Sequence, residues 1–198
     1  MQLTSAQKTT LKNDIAANTN QVSVGGGAPV AINTLGNDPD SNAAIATWYN
    51  GQASPDFTVW RDLPMETVLN TITFASMTPA DAVPTTPSLT VDVYRARALC
   101  CQGKQFNLQN LTLGRTTAPM KRTNYRAAIQ DCLTNIPAGA SGALIAANWT
   151  GVRDAAKFLA NRIERLFATG TGTTGTPGDL VVEGSITGAD IQLARDQG

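Results

Sequence analysis

The sequence of 198 residues contains no histidine. Histidine is the commonest general base, the usual partner of serine and cysteine nucleophiles, and the commonest metal ligand. Its absence removes most hydrolytic mechanisms and leaves carboxylates, lysines and cysteines for any acid–base or nucleophilic chemistry. The sequence therefore predicts a protein that is not an enzyme and that binds no metal and no cofactor.

Cysteines are few as well. The chain has Cys100, Cys101 and Cys132, with no Cys-x-x-Cys spacing, which argues against a zinc site. Nearby basic residues could lower the pKa of the Cys100 or Cys101 thiol and make it reactive. The favoured interpretation is that all three are reduced thiols that pack as small apolar groups in a protein made in a cytoplasm.

Charged residues make up only 15% of the chain, and the formal net charge at pH 7 is zero. A soluble domain usually contains about 25% charged residues. A surface poor in charge is less well protected against association, which favours a protein that works inside an assembly. The overall balance does not indicate a nucleic-acid-binding protein.

The charges are unevenly distributed along the chain. Residues 1–92 carry a net charge of −5, residues 93–167 of +8, and residues 168–198 of −3. Opposite potentials on different parts of one chain suit head-to-tail contacts between copies, because they steer and orient the partner. The alternative interpretation is that a helical middle simply exposes its arginines and lysines to solvent.

Long apolar runs are absent. No segment approaches the roughly 20 apolar residues that a membrane-spanning helix requires. The first residues, Met1 to Ser5, lack the basic and apolar regions of a signal peptide. We therefore expect no membrane partner.

Two short patterns resemble ligand sites but lack their context. Asp38 and Asp40 could begin a calcium loop, but the further ligands are missing, so a helix cap is the better interpretation. The glycines of 170–175 match the dinucleotide-binding spacing. That motif works between a strand and a helix, whereas here it follows a predicted helix and precedes Pro177. Neither pattern predicts a bound ligand.

Apolar spacing and capping residues predict a mainly α-helical fold, a bundle of about five to seven helices. Pro84 and Pro87 predict a linker between two of the helical regions. Residues 149–168 show the clearest helical repeat. Gly103 is a candidate break in the predicted helix of residues 89–113. The predicted helical segments are 4–18, 40–50, 64–72, 89–113, 118–136, 149–168 and 188–195.

The composition changes sharply after residue 168. Residues 169–178 contain only threonine, glycine and one proline, which predicts a flexible linker. A body of residues 1–168 would thus carry a C-terminal docking arm of residues 179–198, with a short strand and a small helix capped by Thr187. The predicted interaction residues are those of the arm, Leu180, Val181, Val182, Ile186, Ile191 and Leu193, and the basic residues Arg153, Lys157, Arg162 and Arg165.

Several segments together resemble a family of virion proteins encoded among the capsid and tail genes of tailed bacteriophages. The resemblance covers nearly the whole chain, but its motifs have no known chemical role. It is carried by Leu3–Ile15, Ile45–Asn50, Ser54–Arg61, Gln102–Leu108 and Leu166–Gly172.

Within that family the chain is most similar to head–tail connector proteins. The resemblance implies a ring, commonly twelvefold, between the portal protein and the tail nozzle or other tail proteins, with DNA passing through it nonspecifically. Extended C-terminal arms of such adaptors reach onto the portal or a neighbour. The alternatives are a tail-completion, tail or capsid-decorating virion protein and, from a different class, a small cytoplasmic enzyme or nucleic-acid-binding protein.

Overall fold

The computed structural model describes residues 2–77, 89–134 and 142–197. The predicted mainly α-helical class is confirmed. The linker predicted at Pro84 and Pro87 lies outside the described residues. Within those residues there are eight α-helices: α1 Ser5–Ala17, α2 Pro39–Asn50, α3 Met65–Thr71, α4 Leu89–Thr112, α5 Thr123–Leu133, α6 Gly142–Ala155, α7 Arg162–Phe167 and α8 Gly188–Arg195.

The strands in the described ranges are short and form three separate pairs. Strands β1 and β2 are antiparallel, with Val22 opposite Val30, and β4 and β5 are antiparallel, with Leu63 opposite Ala118. The third pair joins β3 and β6. The strands are β1 Gln21–Val22, β2 Val30–Ala31, β3 Thr58–Trp60, β4 Leu63–Pro64, β5 Thr117–Ala118 and β6 Lys157–Leu159.

The chain divides into two compact units, and this division differs from the predicted one. Unit 1 combines residues 1–59 with residues 158–198, and unit 2 is the continuous stretch of residues 60–157. The sequence predicted a single body of residues 1–168. The difference arises because the C-terminal residues pack with the N-terminal helices, a long-range association that composition cannot reveal.

Unit 1 is built around α1, α2 and α8. Thr4 and Gln7 form a capping box that starts α1. Asp38 caps α2 by accepting a hydrogen bond from the Ser41 backbone N–H at 2.9 Å, in agreement with the helix-cap interpretation of the Asp38 and Asp40 pattern. The fully buried apolar residues of this core include Leu11, Ile32, Ile45, Ile163 and Ile191.

Unit 2 is built around α3, α4, α5 and α6. The predicted buried stripe of α5 is confirmed for Tyr125, Ile129, Cys132 and Leu133, whereas its last member, Ile136, lies outside the described residues. Helix α4 runs through Gly103 without a break, so the predicted division there is wrong. The fully buried residues of this core include Val68, Met77, Met120, Ile129, Leu133 and Val152.

The predicted helix of residues 149–168 is interrupted. Helix α6 ends at Ala155, β6 follows, and Asn161 caps the separate helix α7. The Asn161 side chain accepts from the Glu164 N–H at 2.8 Å, and the Glu164 carboxylate accepts from the Asn161 N–H at 3.0 Å. The Ala160 N–H donates to the Phe57 carbonyl at 2.8 Å. The competing hydrogen-bond partner, Phe57, lies a hundred residues away in the sequence, so a helical repeat gives no sign of it.

Candidate functional site

The predicted docking arm is part of the core of unit 1. Helix α8 lies against α1 and α2, and Val182, Ile186 and Ile191 are buried at 8%, 2% and 0% exposure. Of the other predicted arm contacts, Leu180 is half-buried, and Val181 and Leu193 are exposed. The prediction of an arm separate from the body is therefore wrong, because half of its apolar side chains fill the chain's own core.

Polar contacts fix the same segment. Asn50 bonds to the backbone of Ile186 in both directions, with its amide donating at 2.8 Å and its carbonyl oxygen accepting at 2.9 Å. The Arg195 guanidinium donates to the Leu35 carbonyl at 2.6 Å and to the Gly36 carbonyl at 2.7 Å. Buried apolar groups and paired polar groups thus agree in holding residues 179–197 in place.

The predicted linker of residues 169–178 is held as well. Thr169 and Asp179 exchange two backbone hydrogen bonds of 3.0 Å. The Thr58 N–H donates to the Gly172 carbonyl at 2.7 Å, and the Gly178 N–H donates to the Thr58 carbonyl at 2.8 Å. The threonine and glycine composition therefore serves a tight loop against β3 instead of a flexible tether.

The four predicted basic residues fall on three elements, α6, β6 and α7, and belong to both units. Lys157 and Arg153 belong to unit 2 and both contact Asp154, at 2.6 Å and 3.2 Å. The hydrogen bond from Lys157 is the main reason why the pKa of Asp154 lies below its usual value. Arg162 and Arg165 lie on α7 in unit 1. The predicted basic residues therefore divide into two pairs, one in each unit.

Arg162 and Arg165 line a polar pocket of about 620 Å³ in unit 1. The Arg162 guanidinium lies 4.5 Å above the Trp48 ring and donates to the Trp48 carbonyl at 2.7 Å. The Arg165 guanidinium donates to the Pro55 carbonyl at 3.0 Å. Within the described part of the chain neither arginine has a carboxylate partner. Their remaining N–H groups have the chemistry to bind an anion.

Asp14 and Tyr49 line the same pocket and limit that potential. The Tyr49 hydroxyl donates a short hydrogen bond to the Asp14 carboxylate, and the Asn18 amide donates to the Tyr49 oxygen at 3.5 Å. Burial, followed by the bond to Asp14, raises the pKa of Tyr49 well above its usual value. The Asp14 carboxylate opposes an incoming anion, so this pocket gives no decisive sign of a ligand.

A second surface was missed by sequence reasoning. Leu99, Phe106 and Leu113 of the α4 region are 68%, 63% and 71% exposed. We call these three residues the α4 ridge. Their spacing of seven residues could have revealed a single stripe, but only the structure shows that this stripe faces outward.

An apolar groove lies beside the ridge in unit 2. It has a volume of about 570 Å³, and its apolar lining includes Leu69, Phe74 and Leu108. The Phe74 side chain is 51% exposed at the edge of the groove, whereas Leu108 is buried at its base. Glutamines and a threonine of α4 complete the lining. The arrangement is suited to holding apolar side chains of another protein surface.

Comparison with protein-family models, with curated proteins and with solved structures finds no match. Within residues 2–77, 89–134 and 142–197, no group of three carboxylate or cysteine side chains is placed to hold a metal ion. None of the helices in those ranges is long and apolar enough to cross a membrane. The features that distinguish the described surface are therefore its ridge, its groove and its distribution of charge.

Proposed function

We propose that this protein is a structural component of a tailed-bacteriophage virion and forms a ring-shaped connector between the portal protein and the tail. The resemblance of five sequence segments to phage virion proteins supports the virion assignment. In this role the protein closes the head–tail joint and lets DNA pass without specific recognition. It acts by matching surfaces with copies of itself and with its neighbours, and not by catalysis.

One observation carries the ring. Unit 1 contains five basic and nine acidic side chains, a net charge of −4, whereas unit 2 contains ten basic and six acidic side chains, a net charge of +4. A closed ring requires two different surfaces on each copy, since each chain must bind one neighbour with each surface. An acidic unit and a basic unit in one chain supply complementary surfaces for such head-to-tail contacts.

The contacts of the ring are assigned to the two units, and the C-terminal segment has a different role from the predicted one. Val182, Ile186 and Ile191 belong to the core of unit 1, so they cannot also clasp a neighbour without leaving that core. The exposed side chains Val181 and Leu193 remain for lateral or portal contacts. A connector of this kind docks as a pre-folded body.

The decisive experiment combines the purified full-length chain with the portal protein and measures the mass of the complex by mass photometry. We expect a discrete ring on the portal, and less of it at high ionic strength, because a Debye length of about 10 Å at 0.1 M screens exposed charges. Arg122→Glu, at an exposed position of unit 2, lowers the positive charge of that unit and should weaken the ring.

The position of the protein in the particle provides the second test. Cryo-EM density at the neck, with one copy per ring position, would support the connector. Sixfold density in the tail or icosahedral density on the capsid would instead support a tail or decorating protein and contradict the connector. Absence of any complex with the portal at low ionic strength would also contradict the proposal.

A further inference from the structure

The polar pocket of unit 1 brings together charges of both signs. Its charged lining residues are Arg162 and Arg165 of α7 and Asp14 of α1. Each of the three is half-buried, so part of every side chain is withdrawn from solvent. Two guanidinium groups and one carboxylate give the pocket an excess positive charge. A ligand that balances all three groups therefore carries two negative charges and one positive charge.

Both arginines are held in place by groups that leave their charge uncompensated. Arg162 donates to the Trp48 carbonyl at 2.7 Å and lies 4.5 Å from the centre of the Trp48 ring. Arg165 donates to the Pro55 carbonyl at 3.0 Å and lies 6.0 Å from the centre of the Phe57 ring. A guanidinium has five N–H donors, so a single carbonyl leaves donors for a ligand. Side chains that are already fixed lose less conformational entropy on binding.

Asp14 is positioned by a chain of hydrogen bonds. The Asn20 amide donates to the Asn18 carbonyl oxygen at 2.8 Å, and the Asn18 amide donates to the Tyr49 oxygen at 3.5 Å. The Tyr49 hydroxyl donates in turn to the Asp14 carboxylate. Every donor in this chain points toward Asp14, so the chain ends on the carboxylate. An ionised carboxylate has about four lone-pair sites, so it can accept further hydrogen bonds from a ligand.

The opposite charges of the pocket do not pair with each other. No side-chain nitrogen of Arg162 or Arg165 lies within 4.0 Å of an Asp14 carboxylate oxygen. Among the described residues none of the three has an ion-pair partner elsewhere. Withdrawing a charge from water is costly when no partner compensates it. Unpaired charges of both signs around one cavity therefore favour a ligand that pairs with both.

Asp14 excludes one kind of ligand and selects another. A simple anion is attracted by the arginines and repelled by Asp14, so the arginines alone do not define a ligand. An ammonium group on the same molecule turns the contact with Asp14 from repulsion into attraction. Carboxylates suit the arginines, because a guanidinium and a carboxylate form two parallel hydrogen bonds. The pattern of charges thus matches an amine that carries two carboxylates.

We propose that this pocket binds a free acidic α-amino acid. The two carboxylates of the ligand pair with Arg162 and Arg165, and its ammonium pairs with Asp14. The side chains of Trp48 and Leu166 in the lining offer apolar surface to its carbon chain. Small-molecule pockets measure roughly 300 to 1,000 Å³. The volume of about 620 Å³ is therefore ample for a ligand of this class.

This inference goes beyond the proposed function and does not rest on it. All residues of the pocket belong to unit 1, whereas the ring depends on contacts between copies of the chain. Binding of the amino acid by a chain that forms no complex with the portal would support the pocket and contradict the connector. A portal-bound ring whose chains bind no amino acid would do the reverse.

Equilibrium dialysis of the full-length chain against radiolabelled L-glutamate is the first measurement, with glutarate as a competitor. Glutarate keeps both carboxylates and the carbon chain of L-glutamate but lacks the amine. We expect L-glutamate to bind at least about tenfold more tightly than glutarate, because only the amine gives Asp14 a partner. Absence of L-glutamate binding at millimolar concentrations would overturn the proposal, as would equal affinities for the two molecules.

Asp14→Asn provides the sharpest test, since it removes the charge and keeps an acceptor for the Tyr49 hydroxyl. L-Glutamate should bind it at least about tenfold more weakly, whereas glutarate should bind it more tightly than it binds the unmodified chain. Opposite shifts cannot result from a damaged fold, which would weaken both ligands. Asp40→Asn removes an exposed carboxylate of α2 outside the pocket and should change neither affinity.

Arg165→Gln tests the other side of the pocket. It should weaken L-glutamate and glutarate alike, because each loses a guanidinium partner. A circular-dichroism melt checks that this half-buried substitution keeps the fold. Unchanged L-glutamate affinity in either Asp14→Asn or Arg165→Gln would show that the ligand lies elsewhere and would overturn the assignment.

Discussion

The aromatic ring of Phe57 lies directly on the backbone of Gly172. A Cβ atom on Gly172 would come within 2.2 Å of the Phe57 Cδ2 atom, and the φ angle of Gly172 is +63°. Gly178 meets the same ring from the other arm of the loop, where a Cβ would lie 2.7 Å from Phe57 Cε1. One aromatic side chain thus anchors a loop that contains no large apolar residue of its own.

Gly172→Ala should therefore lower the free energy of unfolding by about 2 to 4 kcal/mol, because a side chain there combines backbone strain with overpacking against Phe57. Gly175→Ala is the matched control in the same loop. A Cβ atom on Gly175 would approach only the Thr173 Oγ1 atom, at 4.0 Å. The substitution should therefore lower the free energy of unfolding by less than about 0.5 kcal/mol. Urea denaturation measures both, and equal effects would show that Phe57 does not hold the loop.

Helix α8 should contribute to the stability of the isolated chain. Ile191 is fully buried, so Ile191→Ala should lower the free energy of unfolding by about 2 to 4 kcal/mol. Leu193 is 53% exposed on the same helix, and Leu193→Ala should change the free energy of unfolding by less than about 0.5 kcal/mol. If both variants unfold like the unmodified chain, α8 is not part of the core in solution.

Removing the C-terminal segment tests the same packing more severely. A chain that ends before residue 180 loses Val182, Ile186, Ile191 and Ala194 from the core of unit 1. We expect the N-terminal helices to lose protection from limited proteolysis, since their apolar faces become exposed. A truncated chain as resistant as the full one would restore the idea of a detachable arm.

Tyr49 should make stability depend on alkaline pH. Burial, assisted by the hydrogen bond to Asp14, holds the pKa of Tyr49 above its usual value of about 10 in the folded chain. A folded-state pKa above the unfolded one gives stability that is complete below about pH 10 and is lost as the pH rises further. The folded state must then ionise a buried phenol or unfold.

Tyr49→Phe removes the ionisable group while keeping the ring. At neutral pH it should cost about 1 kcal/mol through the lost hydrogen bond to Asp14. Above about pH 10 its stability should fall less steeply than that of the unmodified chain. Urea midpoints measured across that range provide the comparison, and parallel curves would show that Tyr49 does not titrate differently on folding.

The thiols should differ in reactivity. Burial raises the pKa of both the Cys101 and the Cys132 thiols, and each residue is only 2% exposed. Cys100 is half-buried. Because the thiolate is the reacting form, we expect one cysteine per chain to be alkylated at neutral pH and the other two to react at least about tenfold more slowly.

Intact mass spectrometry after a timed exposure to iodoacetamide measures this difference. Cys100→Ser should abolish the fast reaction and leave the slow one. Unfolding in urea should make all remaining thiols reactive at similar rates. Persistent fast alkylation of Cys100→Ser would show that one of the two buried cysteines becomes accessible in the folded state.

Local signals in the sequence were sufficient for the helices whose ends and faces depend on near neighbours. Thr187 starts α8 as predicted, since its capping box with Asp190 involves residues only three apart. The buried stripe of α5 follows directly from its spacing. Sequence reasoning did not recognise Asn161 as a strong capping residue. A continuous apolar repeat concealed the helix end at that point, which shows the limit of local signals.

The sequence by itself determined the mainly α-helical class, most helix positions and the sparse, uneven charge. Only the tertiary structure decided that residues 179–197 fill a core, that Phe57 anchors a glycine loop, and that Leu99, Phe106 and Leu113 face outward. Helix formation depends on contacts within about four residues, which a sequence displays directly. Burial depends on partners far along the chain, and the same apolar spacing serves equally for a core and for an interface.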